Sequence, residues 1–350
     1  MRRGLINWDP HELPLSVLEA RTQRLRNAMA AADCDAIILY TNFIRCAAVA
    51  WMTGFSPYWA DGILVVPREG EMLFATTLSK RMGSWIQTVM PNARVVTSPN
   101  PGQLAGNQLQ QLGTRRIGIL ELGDLPGTLY SDLAAALPGA EIVDASAIFP
   151  NARYPADEAE HKLLGRSDQI AADALRNLDR AAANTAGEAV AMVEKAARMD
   201  GAEEIYVAVA ADLDSSRAFL RLSGKASLGR RFAVRATVAY KGSWVRRIAS
   251  FSRDRSELAA LHEMDSEFSR WLTELPFTSM AGEIAQRVTK ITGANLENWF
   301  AEAPLGTRPL NLVQPNDAHP VPPIVLTMNL TTVGGLPWCG AALMPRRPES

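Results

Sequence analysis

Between residues 15 and 32 the apolar positions Leu15, Leu18, Leu25 and Met29 recur at the spacing of one helix face, and a run of strand length follows at 35–40. A helix feeding a strand opens the chain. Two β-rich runs at 62–66 and 71–75 flank the turn sequence Pro67-Arg-Glu-Gly70 and predict a hairpin. Residues 80–89 read as helix and 93–97 as strand, and Pro99-Asn-Pro-Gly102 breaks the chain. Beyond it, 116–121 predicts a buried strand, 127–137 a helix and 141–144 a further strand. Strands alternating with helices define an α/β layered domain.

The pattern changes at Phe149-Pro-Asn-Ala-Arg-Tyr-Pro155, where a proline-bearing segment opens into a long helix over 157–183. A boundary there gives domains 1–150 and 151–350. A second helix is expected over 187–199, then strands at 205–210 and 232–240, helices at 254–272 and 279–291, and closing strands at 324–330 and 341–344. Strands in succession with helices on one side predict an α+β second domain.

The chain has 350 residues, more than one ordinary core and suited to two at roughly 100–200 residues each. It is 47% hydrophobic and 21% charged, with 36 Lys+Arg against 37 Asp+Glu, which argues against disorder and against a whole-chain nucleic-acid binder. Three cysteines, Cys34, Cys46 and Cys339, form neither a disulfide framework nor a metal-ligand spacing. No apolar run is long enough for a signal peptide or a membrane span, so a soluble, cytoplasmic protein without nucleic-acid or membrane partners is expected. Histidine, the usual general base and metal ligand, occurs only four times.

Several words in this order of elements resemble the creatinase/aminopeptidase P/prolidase family. Trp51-Met-Thr-Gly-Phe55 is similar to the Tyr-Leu-Thr-Gly-Phe of its N-terminal domain, and Ala152-Arg-Tyr-Pro-Ala-Asp-Glu-Ala-Glu160 to its Leu-Arg-x-x-Lys-x-x-x-Glu approach to the catalytic domain. Leu228-Gly229 falls where the family has Leu-x-x-Gly-Asp, and Val333-Gly-Gly335 where it has a Gly-Gly before its last strand. The resemblance implies a creatinase-like α/β N-terminal domain followed by an α+β pita-bread domain, and a homodimer.

The family's peptidases hold two metal ions on five ligands, and the resemblance locates each ligand position. In Arg235-Ala-Thr-Val-Ala-Tyr-Lys-Gly242-Ser-Trp-Val-Arg246 both aspartates of Asp-x-Gly-x-x-x-x-Gly-Tyr-x-x-Asp have become arginines. The histidine falls at Ala303, the two glutamates at Asn329 and Cys339, and the upstream substrate-facing histidine near Ala218, beside Arg217. A guanidinium has no lone pair to give and repels dications, so a family-standard di-metal centre is not expected, and no cofactor is.

Two readings of the changed site stand side by side. In one, the protein is a metal-independent enzyme of hydrolase or lyase type in which Arg217, Arg235 and Arg246 replace the cations by fixed positive charge and bind or convert a small acidic or amide-bearing metabolite, with Asn329 as a hydrogen-bond donor and Tyr240, Trp244 and Trp299 lining the cavity. Strand alternation puts Arg246 and Arg247 on opposite faces. Cys339 beside arginines would be a candidate thiolate, and His319 with Asp317 the one acid/base pair near the site. In the other, arginines pair with local acids such as Asp212, Asp214 or Glu302, and the protein is an inactive pseudo-peptidase acting as a peptide- or protein-binding scaffold. Arg230 and Arg231, after a turn glycine, read as solvated charge.

Overall fold

In a computed structural model the chain is described over residues 8–57, 60–178, 181–220, 222–274, 294–313 and 324–344. Two compact units divide it: Arg2–Glu160 with Pro304–Asn311, and His161–Ala303 with Leu312–Ser350. The division falls ten residues past 150, and a short segment of the second half folds with the first.

The first unit runs α1 (Leu15–Ala31), β1 (Ala36–Thr41), α2 (Ala47–Thr53), β2 (Gly62–Pro67), β3 (Met72–Thr76), α3 (Lys80–Val89), β4 (Ala93–Thr97), α4 (Pro101–Gln111), β5 (Arg116–Ile119), α5 (Gly127–Ala135), β6 (Glu141–Asp144) and α6 (Ile148–Arg153). The six strands form one mixed sheet in the order β4-β3-β2-β1-β5-β6. Every residue of β1 is buried, because Ile37 and Leu39 join one apolar layer and Ile38 and Tyr40 the other. That is why β1 reads as a continuous apolar run.

Two helices depart from the expected pattern. All seven residues of α2 are buried, so it has no polar face and leaves no helical periodicity to find. α4 begins on Pro101, at the expected break, since proline at the first helical position gives up an N–H that has no partner there anyway. Gly54 closes α2 in the left-handed region at φ 73, and a Cβ there would meet Leu13 Cδ2 at 3.0 Å.

The two sequence words of the N-terminal half meet in space. Trp51 Nε1 donates to Glu160 Oε2 at 2.8 Å, and Arg153 donates twice to Glu160 Oε1, at 3.0 and 2.7 Å. Arg21 donates to both oxygens of Asp157 at 2.6 and 2.8 Å and to the Trp51 carbonyl at 2.6 Å, and its guanidinium lies 5.2 Å from the Trp51 ring centroid. Glu160 is 2% exposed, so its charge depends on these donors.

The second unit contains α7 (Glu158–Arg176), α8 (Ala186–Met199), β7 (Glu204–Ala210), β8 (Arg231–Tyr240), β9 (Ser243–Ser252), α9 (Arg255–Glu274), β10 (Asn295–Ala303), β11 (Asn311–Leu312), β12 (Val325–Thr331) and β13 (Pro337–Leu343). The expected helix over 279–291 lies outside the described residues. A seven-stranded sheet has the order β11-β10-β12-β13-β9-β8-β7. β8 and β9 join through Lys241 and Gly242, both at positive φ (46 and 75), the two-residue turn whose twist matches that of the strands.

Register fixes what each face of this sheet carries. Phe232, Val234, Ala236 and Val238 of β8 pack with α7 and α8, and Trp338 of β13 packs edge-on against Phe268 of α9. The helices therefore share a face. Along the other face Arg235 pairs with Ile248, Ile248 with Ala341, Ala341 with Thr327, and Thr327 with Phe300. α8 is capped by a reciprocal box in which Thr185 accepts from the Glu188 N–H while the Glu188 carboxylate accepts from the Thr185 N–H.

Glu160→Ala, which leaves Arg153 buried without its partner, should lower stability by about 3–5 kcal/mol, whereas Thr185→Ala should cost only about 1 kcal/mol. Urea unfolding of the two variants would separate them, and equal losses would contradict the roles given to Glu160 and Thr185.

Candidate functional site

The face opposite the helices gathers four of the substituted positions. Arg235 and Thr237 on β8, Arg246 and Ile248 on β9, Cys339 and Ala341 on β13 and Thr327 and Asn329 on β12 all point to it by register. On β10 the residues facing this side are Asn298, Phe300 and Glu302. Ala303, the expected histidine position, has the parity of Ala301 and lies on the helix side, so Glu302 takes its place.

Arg246 does not stand free. Its Nη1 donates to Glu302 Oε2 at 2.5 Å and its Nε to Thr237 Oγ1 at 3.3 Å. β9 and β10 are separated in the sheet by β13 and β12, so this ion pair bridges two intervening strands. Glu302 is 7% exposed. Burial pushes its carboxyl above the ordinary range, and the Arg246 and Arg235 guanidiniums pull it back only in part. The Arg235 guanidinium lies 5.4 Å from the Phe219 ring centroid. Two arginines thus face one internal carboxylate.

Arg217 makes a second bridge. Its Nη2 donates to Glu297 Oε1 at 2.7 Å and to Thr331 Oγ1 at 3.3 Å, and its Nη1 donates to the Leu213 carbonyl. The segment between β7 and β8 is thereby fastened to β10 and β12. Arg247 points to the opposite face, as alternation requires, and donates through two nitrogens to Asp168 of α7, each at 2.6 Å.

Asn329 donates through Nδ2 to Asn298 Oδ1 at 2.9 Å, while its own Oδ1 and the Thr327 hydroxyl are buried with no hydrogen-bond partner. Cys339 is fully buried, and Ser250 Oγ holds its backbone at both ends, accepting from the N–H at 2.8 Å and donating to the carbonyl at 3.0 Å. Burial pushes the Cys339 thiol up to about 12, outweighing the Arg217 charge. The expected thiolate is therefore not formed, because desolvation acts more strongly than the neighbouring cation.

The aromatic expectations divide. Trp244 lies on the Arg246 face, stacked on Tyr206 with centroids 5.7 Å apart. Tyr240 has the parity of Val238 and faces α7, where Arg166 lies 5.9 Å from its ring, so it does not line the site. Trp299 pairs with Met328 and likewise belongs to the helix side. His319 and Asp317 lie outside the described residues. Arg230 and Arg231, expected as solvated charge, both bond Glu257, and Arg231 also bonds Asp214 at 2.7 Å. A carboxylate on α9 is the partner that sequence spacing gave no means of finding.

The family profile described as Creatinase/Prolidase N-terminal domain matches residues 21–154. A search of curated protein sequences returned no match. Among solved structures, the chain is similar to an Xaa-Pro dipeptidase from Bacillus anthracis (16% identity, 95% of this chain and 99% of that one, TM-score 0.67). It is similar as well to an X-Pro aminopeptidase from Thermotoga maritima MSB8 (15%, 94% and 98%, TM-score 0.68) and to the prolidase from Pyrococcus horikoshii OT3 (15%, 94% and 99%, TM-score 0.67).

The class is a two-domain protein with an α/β first domain and a pita-bread second domain. Residues 21–154 match the creatinase/prolidase N-terminal domain, and the chain as a whole has the fold of the prolidase structures. At 15–16% identity the solved structures establish that fold and not an activity.

The di-metal centre that this fold family implies does not fit the side chains here. Arg235, Arg246, Asn329 and Cys339 supply two guanidiniums, an amide and a protonated thiol where anionic donors are required. The two acids that β10 brings to this face, Glu302 and Glu297, are already bonded to Arg246 and Arg217. No group of three or more His, Cys, Asp or Glu that could hold a metal ion occurs among the described residues.

All three cysteines are buried, so a thiol reagent at pH 8 should label almost none in the native protein and all three after unfolding. Fast native labelling of Cys339 would contradict its placement. The Arg231 and Ser252 hydrogen bonds hold the Glu257 carboxyl down, from 4.5 to about 2. Its contribution to stability is present above about 4.5 and is lost as pH falls toward 2. Glu257→Gln should flatten the stability profile in that window, and an unchanged acid limb would remove the role given to Glu257.

Proposed function

We propose that this chain is a metal-independent, catalytically silent member of the Xaa-Pro peptidase fold group, serving as a peptide- or protein-binding scaffold. The observation that carries the proposal is the Arg246–Glu302 pair, 2.5 Å apart with side chains 16% and 8% exposed, on the face where the fold's peptidases would need metal ligands. Positive charge there is answered from within the chain, and a substrate carboxylate would have to displace Glu302 to reach Arg246. The Arg217–Glu297 bridge supports the same reading by tying a second strap to that face. A cytoplasmic location and a homodimer belong to the proposal as expectations from the fold group.

A second reading has one observation behind it. The buried, unpartnered Asn329 Oδ1 and Thr327 hydroxyl, two residues apart on β12, suit a small amide-bearing or acidic ligand that supplies the missing hydrogen bonds. Stabilisation by small carboxylates or amides that Asn329→Ala abolishes would favour this reading over the first.

After incubation with Mn or Co and gel filtration, the protein should retain no stoichiometric metal and should not hydrolyse Xaa-Pro dipeptides. Two ions per chain with dipeptidase activity would overturn the proposal. Glu302→Ala alone should destabilise by about 3–5 kcal/mol, while the double change Arg246→Met with Glu302→Leu should recover most of that loss. A double variant no better than the single one would deny the pair its part in closing the face.

A further inference from the structure

α7 and α9 leave between them, over β9, a cavity of about 740 Å³ on the helix face of the second unit. Leu175 from α7, Leu178 just past its end, Leu258 and Phe268 from α9, and Ala249 and Phe251 from β9 make much of its wall apolar. The polar part of the lining is Arg176, Arg247, His262, Asp265 and three serines.

The charges around this cavity do not cancel. Arg247 is held by Asp168, and Arg176 by Asp173. Asp265 of α9 has no such match. Its Oδ1 accepts from Trp338 Nε1 at 2.8 Å, and among the described residues no cation pairs with it and no second donor reaches it. Burial drives its carboxyl up to about 6, against the pull of the indole N–H and of Arg247. A partly buried carboxylate with one donor is costly to keep beside apolar side chains, and a perturbed carboxylate lining a cavity is a candidate binding group. His262, one turn earlier on α9, lies exposed at the rim.

We propose that this cavity binds a small ligand with an apolar body and a protonated amine, the ammonium seated on the free oxygen of Asp265 and the body lying against the Leu175, Phe251 and Phe268 side chains. An ammonium supplies the donor and the counter-charge that Asp265 lacks. The site lies on the opposite face of the sheet from Arg246 and Glu302 and is independent of the function proposed for that face.

Benzylamine, phenethylamine and tryptamine are suitable probes, titrated into the full-length protein by calorimetry and followed by thermal shift. At least one should bind with 1:1 stoichiometry and raise Tm, with benzyl alcohol about tenfold weaker than benzylamine. Asp265→Asn keeps the acceptor for Trp338 and should weaken the amine about tenfold while leaving the far-ultraviolet circular dichroism unchanged. Ala172→Trp, on the cavity wall, should abolish binding of amine and alcohol alike. Absence of saturable binding by all three amines up to about 10 mM would overturn the proposal. So would equal affinity for benzylamine and benzyl alcohol, or amine binding indifferent to both variants.

Discussion

A guanidinium on a strand of a packed sheet cannot shed its charge, because its pKa lies above any pH at which the protein is folded. It must therefore find an acid or stay at water. Arg246 sits at a strand centre with its side chain 16% exposed, so water is not available to it in any quantity, and Glu302 is the acid. That single requirement organises the face opposite the helices. It sets which residue of β10 points inward, it joins strands with two others between them, and it leaves Arg235 beside a carboxylate already engaged.

The buried pair also shows that its own stability is not the point. Glu302 is shifted upward even with two arginines near it, so burial disfavours its charge more than the arginines favour it. A pair of that kind adds little net stability over an apolar replacement, but removing one partner leaves a buried charge uncompensated. Its effect is to fix register and closure. Glu160 performs the same task in the first unit, where Trp51 and Arg153 hold a carboxylate that is almost wholly out of water. In both units a buried acid decides how distant pieces of chain meet.

Much of this was legible in the chain, and the failures have physical causes. α1, β1, α3, β4, α8 and β12 lie close to their pattern-derived positions because each has a clear apolar face or an unbroken apolar run. β9 shows no clear strand pattern, since Arg246 and Arg247 interrupt the alternation, and the sequence feature that identifies it is the Lys241-Gly242 turn seen in the structure. β10 carries Asn295, Glu297 and Asn298 and bulges near Leu296, so neither apolar content nor strict period 2 identifies it. Within the site, the resemblance to the family's ligand motifs picked out Arg235, Arg246, Asn329 and Cys339, and strand register puts the four on one face. What spacing could not supply was the partner: Glu302 was one of three acids in view, and whether Cys339 felt arginine or desolvation more strongly depended on burial.

The same sheet treats charge oppositely on its two sides. On one, two arginines near Glu302 and a third on Glu297 leave the acids, not the arginines, in the minority, and the bonds among them run across the strands. On the other, Arg247 and Asp168 satisfy each other, and Asp265 is left with an indole N–H beside a cavity. Arg247 uses Nε and Nη2 on Asp168, each at 2.6 Å, and among the described residues it makes no ion pair with Asp265. The packing of α7 on β9 thereby gives the Arg247 ion pair to Asp168, and among the described residues Asp265 keeps only the Trp338 indole N–H as a hydrogen-bond donor.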